Sequence, residues 1–308
     1  MSFRKKEDGQ AVVLTVLAMV AVLGMCALVL DVGSWFRTHR RLQATADAAA
    51  LAGAQSLPND PSGAKSLALS YANKNGGNVL GADIVVSSTY TANDTISVKA
   101  ERSDSGMFTR ALGIVTPTKL TTHAKARVDA PAQAMYVAPM VVNCNHPLIQ
   151  DCNGDHTPTF GVNTNLNYDP LGAPGAFGML NLDPNGSNPG TSEEASWILQ
   201  GWNKYLGLGN YRSDPGAKFS SQNIQSALQD RIGTVLLFPV FKTLSGTGQN
   251  AQYDIIGWIG FRLTSYEVHG NNAILHGTFE TYIAHGILAQ GGSGSPPTLG
   301  VKSIQLIG

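Results

Sequence analysis

Two groups of residues have side chains able to do chemistry. The first is Cys144, His146, Cys152 and His156, with Asp151, Asn153 and Asp155 threaded among them. Thiolates and imidazoles bind zinc, but this spacing matches no standard finger. A close cysteine pair in a stretch rich in Asn, Gly and Pro reads instead as a disulfide, a bond that persists outside the cytoplasm. Asp151, Asn153 and Asp155 have the alternate-residue spacing of a calcium loop. The EF-hand form is excluded, because its sixth position calls for Gly and its twelfth for Glu, where this chain has His156 and Val162. The second group is Glu267, His269, His276, Glu280 and His285. His276 and Glu280 lie about 13 Å apart along a strand at about 3.3 Å per residue, so one ion cannot join them. Only cross-strand pairing could gather the others. No nucleophile elbow, P-loop, dinucleotide fingerprint or zinc-protease motif occurs. The expectation is a protein that is not an enzyme, with no catalytic residue, no cofactor and no metal site.

The elements around these residues follow from composition and patterning. The 308 residues are 43% hydrophobic and only 14% charged, with a formal net charge of zero. A soluble domain averages about a quarter charged residues; here Gly, Asn, Ser and Thr take their place, which favours turn-rich β structure. A chain without net charge does not attract polyanions, which excludes nucleic acid as a partner class.

Residues 11–30, AVVLTVLAMVAVLGMCALVL, carry no charge. Twenty helical residues at about 1.5 Å each cover the ~30 Å hydrocarbon core of a bilayer. Asp31, Trp35, Arg37, Arg40 and Arg41 follow where a signal peptide would show a small-residue cleavage site, so the segment reads as an anchor. Residues 1–10 form a basic tail with Arg4, Lys5 and Lys6, nearly balanced by the arginines beyond the span. The cysteine pair decides the orientation: tail in the cytoplasm, bulk of the chain outside.

The helix is expected to continue through 31–57, where Leu42, Ala46, Ala49, Gly53 and Leu57 recur at three- and four-residue steps. Such a stripe permits close approach of another helix and offers a surface for self-association; it is equally what a good helix former produces. Pro58 and Pro61 end it. Residues 58–131 read as an α/β unit, with strands on either side of Asn93-Asp94, a short helix carrying Phe108, Ala111 and Leu112 before a Gly113 cap, and an alternating strand. In that strand Leu120, Thr122, Ala124, Ala126 and Val128 face one way. Lys119, Thr121, His123, Lys125 and Arg127 form a basic face opposite them, which is a solvated face or one that meets lipid phosphates. Residues 132–190 read as irregular. Residues 191–290 read as an antiparallel meander with two helices: the first capped by Ser192 and burying Trp197, Ile198 and Trp202, the second over about 221–231. Pro239 marks an edge or bulge, and Gly270-Asn271 a turn. A spacer and a terminal strand fill 291–308. The class is α+β.

The Gly9-Gln10 start, the span closing on Asp31-Val32-Gly33, Leu42-Gln43 followed by Ala46-Asp47 and the alanines to Ala54, and Phe108 to Gly113 before an alternating strand resemble the TadE/TadG-like proteins of bacterial Tad (Flp) pilus assembly. The resemblance covers about the first 130 residues. It implies a single-pass protein of the bacterial cytoplasmic membrane whose partners are the lipid bilayer and other pilus or secretion-apparatus proteins. Processed pilin-like members have Glu at the fifth position after the cleavage Gly; counting from Gly9, that residue is Leu14, which points to an unprocessed accessory protein. The D-x-S-x-S string of the von Willebrand type A domain found in longer members is absent. The other reading of function is an anchored module that binds a glycan or another envelope partner.

Overall fold

Nothing in the run from Ala11 to Leu30 breaks a helix, and the alanine-rich stretch beyond it propagates one. α1 accordingly runs unbroken over Asp8–Ala54, 47 residues, or about 70 Å. A computed structural model describes residues 8–111, 113, 117–154, 156–168, 176–183, 188–215, 218–247, 250–270, 272–284, 286–288 and 299–307. The basic tail lies almost wholly outside them. The chain divides into two compact units, Met1–Arg127 with Leu306–Gly308, and Val128–Gln305.

In the first unit α1 ends at Ala54, short of the expected Leu57, and α2 follows at Pro61–Lys74. Pro61 therefore opens a helix as well as closing the approach to one. Its missing N–H costs nothing at a first helical position, and the Asp60 side chain caps the turn by accepting from Gly63 N at 2.8 Å. Ala64, Ala68 and Ala72 form the buried face of α2. They meet the small-residue stripe of α1, where Leu42, Ala46, Ala49, Gly53 and Leu57 are all buried. A Cβ on Gly53 would stand 2.6 Å from Ile96 Cδ1 and 2.8 Å from Ala64 O, so only glycine lets the helices approach this closely. The stripe is thus occupied by the chain's own α2.

β1 (Ile84–Ser87) and β2 (Thr95–Asp104) pair antiparallel, and β2 pairs with β3 (Thr118–Asp129). Asn93-Asp94, read as the hairpin turn between β1 and β2, closes a longer loop over 88–94. Asp94 is buried, and its carboxylate gathers the N–H groups of Thr89, Tyr90 and Thr91, which fixes the loop from within. The alternation along β3 is as expected: Thr122, Ala124, Ala126 and Val128 are buried, while Lys119, His123 and Lys125 are exposed. Between β2 and β3, α3 is a single turn, Met107–Ala111, with Gly113 beyond it at φ +77. Leu112 lies outside the described residues.

The second unit takes in the whole stretch expected to be irregular. Residues 132–190 instead supply most of β4 (Pro131–Ala134), then β5 (Val142–Asn143), β6 (Asn163–Tyr168) and β7 (Ala176–Leu180). The chain continues with α4 (Thr191–Gln200), β8 (Leu206–Gly207), β9 (Gly209–Pro215), α5 (Gln222–Arg231), β10 (Val235–Ser245), β11 (Gln252–His269), β12 (Asn272–Glu280), β13 (Tyr282–Ile283), β14 (Gly286–Leu288) and β15 (Val301–Leu306). The meander β10-β11-β12 is antiparallel, β5 and β6 flank it in the order β5-β10-β11-β12-β6, and β9 bridges β11 to β7. β14, β4 and β8 form a small sheet, and β13 and β15 pair parallel. The spacer 290–297 and Asn271 lie outside the described residues.

β10 is buried on both faces, which explains its unbroken apolar sequence. Leu236, Phe238 and Val240 join Ile198, Ile224 and Leu228 of the helices, with Phe261 and Phe279, in one core cluster. Leu237 and Phe241 belong to a second cluster with Trp197, Trp202, Tyr253 and Trp258. Pro239 lies inside the sheet opposite Trp258, beside an irregularity at Val240/Phe241, so the bulge alternative holds. Ser192 does not cap α4. Gly190 occupies the cap position without a side-chain hydrogen bond, and Ser192 falls in the first turn.

Candidate functional site

The residues of the N-terminal pattern have separable tasks. Asp31 is the first charge after the apolar run, and its side chain is buried. Its carboxylate accepts from the backbone N–H of Thr109 at 2.8 Å and of Phe108 at 3.1 and 3.2 Å, capping α3 from the side of α1. A Cβ on Gly106 would come within 2.5 Å of Asp31 Cγ, so Gly106 is required for this approach. Gln43 donates from Nε2 to Asp47 Oδ1 at 2.8 Å and to the His123 carbonyl of β3 at 3.1 Å. These contacts clasp the first unit to α1 at two levels. Gly33 has open space where a Cβ would stand, and Gly9 and Gln10 lie in the first turns of α1. The clasp was only half legible: Asp31 is visible as a charge closing the span, whereas its partners are about 77 residues away.

The second unit hides a cluster that spacing does not reveal. Glu194 of α4 and Asp214 of β9 are fully buried, and Lys218 reaches both. Its ammonium also donates to the Pro189 carbonyl at 2.6 Å, fastening the chain before α4 to the chain after β9. Burial, reinforced by hydrogen bonding and repulsion from Asp214 and opposed by Lys218, pushes the Glu194 carboxyl up to about 9. One proton and one ammonium thus neutralise two carboxyl groups. Both carboxyls are buried, and the cluster is an internal cross-link between α4, β9 and the turn that carries Lys218.

Cross-strand pairing does gather part of the histidine group. Glu267 accepts from His269 and His276 on separate carboxylate oxygens, at 3.1 and 3.2 Å, while His276 Nδ1 lies 2.7 Å from Asn165 Oδ1 of β6. The hydrogen bond from His269 is the main influence holding the Glu267 carboxyl below the usual range. Glu280 is committed elsewhere, in a two-point contact with Arg262. His285 lies outside the described residues.

In the loop after β5, Cys144 and Cys152 are joined by a disulfide with Cα atoms 5.1 Å apart. Asp151 is buried and caps the following turn by accepting from Gly154 N at 2.6 Å; Asn153 accepts from Lys242. Both side chains of the calcium-like triplet that are described are therefore spent on protein groups, and Asp155 lies outside the described residues. His146 packs edge-on against Phe279, with ring centroids 5.1 Å apart, and its burial lowers its pKa. Among the described residues, no three His, Cys, Asp or Glu side chains are placed to hold a metal ion. Beside this loop an open cleft of about 720 Å³ is lined by Asn143, Asn145, His146, Asn163, Asn165 and Asn167, among others. Its amide-rich wall supplies hydrogen-bond donors and acceptors.

The apolar part of α1 has no cover. Its most hydrophobic window has a mean hydropathy of 2.8 and is wholly unburied, and the large side chains from Val12 to Leu30 are 53–66% exposed. Residues 9–56 match the Tad family model, described as Flp pilus-assembly TadE/G-like. The N-terminal segment, which contains Gly9-Gln10, Asp31, Gln43 and Asp47, is therefore TadE/TadG-like. No curated protein and no solved structure matches the chain.

Proposed function

We propose that this chain is a non-enzymatic, membrane-anchored component of a Tad (Flp)-type pilus assembly, with its N-terminus in the cytoplasm and both units outside. The observation that carries the reading is the long apolar stretch of α1 left bare inside a TadE/TadG-like segment. Five turns of uncovered Leu, Val and Met have a favourable environment only in lipid. The disulfide supports the outward orientation, because such bonds persist outside the cytoplasm. Lipid and pilus-assembly proteins are the partners this reading supplies. Self-association through the α1 stripe would require α2 to move away, so contact with other copies falls to other surfaces.

The test replaces Leu17 and Val20 by Arg in the native host. Central charges cost about 2.5–3.5 kcal/mol each on insertion scales, so the variant is expected to leave the carbonate-resistant membrane fraction and the cells to lose surface filaments. Filaments undiminished in a strain without the gene would refute the pilus role. The asparagine-lined cleft favours a second reading, an anchored glycan-binding module. Normal filaments together with thermal stabilisation of the protein by envelope glycans would select it.

A further inference from the structure

We propose that α3 and the first turns of α1 beyond the span form a collar resting on anionic phospholipid headgroups, giving the first unit a membrane contact besides the spanning helix. The inference rests on Ala11–Leu30 being the span. Asp31 follows that span directly, and its carboxylate holds the N–H groups of Phe108 and Thr109, so α3 is fixed at the level where the hydrocarbon ends. Two kinds of side chain are exposed there. Val32, Phe36 and Met107 are apolar and uncovered, Phe36 at 60% and Met107 at 74% exposure. Arg37, Arg40 and Arg110 are exposed as well, and among the described residues none of them makes an ion pair. The Arg40 guanidinium lies over the Phe36 ring, 4.7 Å from its centroid.

The geometry selects lipid as the occupant. Headgroup layers extend roughly 5–8 Å beyond each side of the hydrocarbon core. At about 1.5 Å per residue, Val32 stands ~3 Å and Phe36 ~9 Å beyond Leu30. Helical side chains lean toward the N-terminus, which here is the membrane side, so Phe36, Arg37 and Arg40 reach back toward the headgroups. Apolar tips beside unpaired cations suit a surface that offers acyl chain and phosphate together. The collar is continuous with the bare span, so a lipid leaflet around the span necessarily reaches its foot.

The test places a nitroxide on the full chain in nanodiscs of phosphatidylcholine with phosphatidylglycerol, in a Cys26→Ala background that leaves only the disulfide cysteines. Labels go singly at Val20→Cys, Met107→Cys and Tyr90→Cys. Tyr90 lies past the far end of β2, ten residues or ~33 Å from the α3 end. The expected result is preferential oxygen accessibility at 20, interfacial accessibility at 107, and access of a water-soluble nickel chelate at 90. With Arg37, Arg40 and Arg110 changed to Gln, the shielding at 107 should fall several-fold in the anionic discs. A label at 107 as accessible to the chelate as that at 90, with 20 still deep, overturns the collar and leaves the span standing. A label at 20 open to the chelate overturns the span, and the collar with it. Shielding at 107 that appears only in native membranes, never in pure-lipid discs, assigns the surface to a protein and overturns the lipid assignment.

Discussion

Glu194→Gln is expected to stabilise the second unit above neutral pH and to flatten its pH dependence. Glu194 and Asp214 are sealed from solvent with one ammonium between them, so ionising both leaves an uncompensated buried charge. The carboxyl of Glu194 is pushed from 4.5 to about 9, chiefly by burial. A folded-state value above the unfolded one means that the folded state keeps the proton. The stabilising contribution is complete below pH 4.5, declines as pH rises, and is gone near pH 9. One proton changes stability by about 1.36 kcal/mol per pH unit, so from about pH 6.5 to about pH 8.5 the loss reaches at most about 2.7 kcal/mol. His146, lowered from 6.5 by burial, acts with the opposite sign and mostly below this window, since its stabilisation is lost as pH falls. Glutamine reproduces the shape of the protonated acid without a proton to lose. Urea unfolding of the full chain in detergent, at the two ends of the window, can be followed through Trp197, Trp202 and Trp258, which all lie in the second unit. The wild type should lose between one and about 2.7 kcal/mol across the window, and the variant less than about 0.5. Parallel pH profiles for the two proteins would show that Glu194 is already ionised in the fold and would refute the neutralised-pair account.

Two further predictions address the other fastenings. Gly53→Val puts a branched side chain where even a Cβ meets Ile96 and the Ala64 carbonyl, and should destabilise the first unit by about 1–3 kcal/mol; amide exchange in α2 faster than in wild type is the expected readout, and unchanged exchange would contradict the packing. Removing the Cys144–Cys152 bond by double Ser substitution opens a short loop and should cost about 2–3 kcal/mol on the chain-entropy account; non-reducing peptide mapping of protein from the native envelope should recover the two cysteines as one linked peptide, and free thiols at both would count against the bond and the outward orientation.

What could be read in the sequence was what is periodic and local. An uncharged twenty-residue run, an alternating β3 and a small-residue helix each state their environment in one stretch of chain. The α2 helix was equally local and was passed over, although Asp60-Pro61 followed by Ala64, Ala68 and Ala72 is a start signal with a buried stripe. The stretch 132–190 looked irregular because β5 and β6 are short and lean on long apolar strands far along the chain for their partners. β6 alternates Asn with Thr, Leu and Tyr, a half-buried pattern that Asn's weak strand preference obscures. The Glu194–Asp214–Lys218 cluster had no local signature at all. Its members are ordinary charged residues on a helix, a strand end and a turn, and only the fold makes them neighbours.

On the proposed reading of α1 as an anchor, its unbroken course has a mechanical consequence. A flexible linker after the span would let the outer part of the chain turn freely about its anchor. Here the helix proposed as the anchor also supplies the core of the first unit, since the Leu42, Ala46, Ala49 and Gly53 face is packed under α2 and β2. Asp31 and Gln43 fasten two further segments to the same helix, at α3 and β3. Tilt or rotation of that helix in a bilayer would therefore carry the first unit with it. The small-residue stripe, which from sequence alone offered itself to a second copy, is the means of that rigidity, and the surfaces left for partners are the bare apolar helix and the exposed faces of the two units.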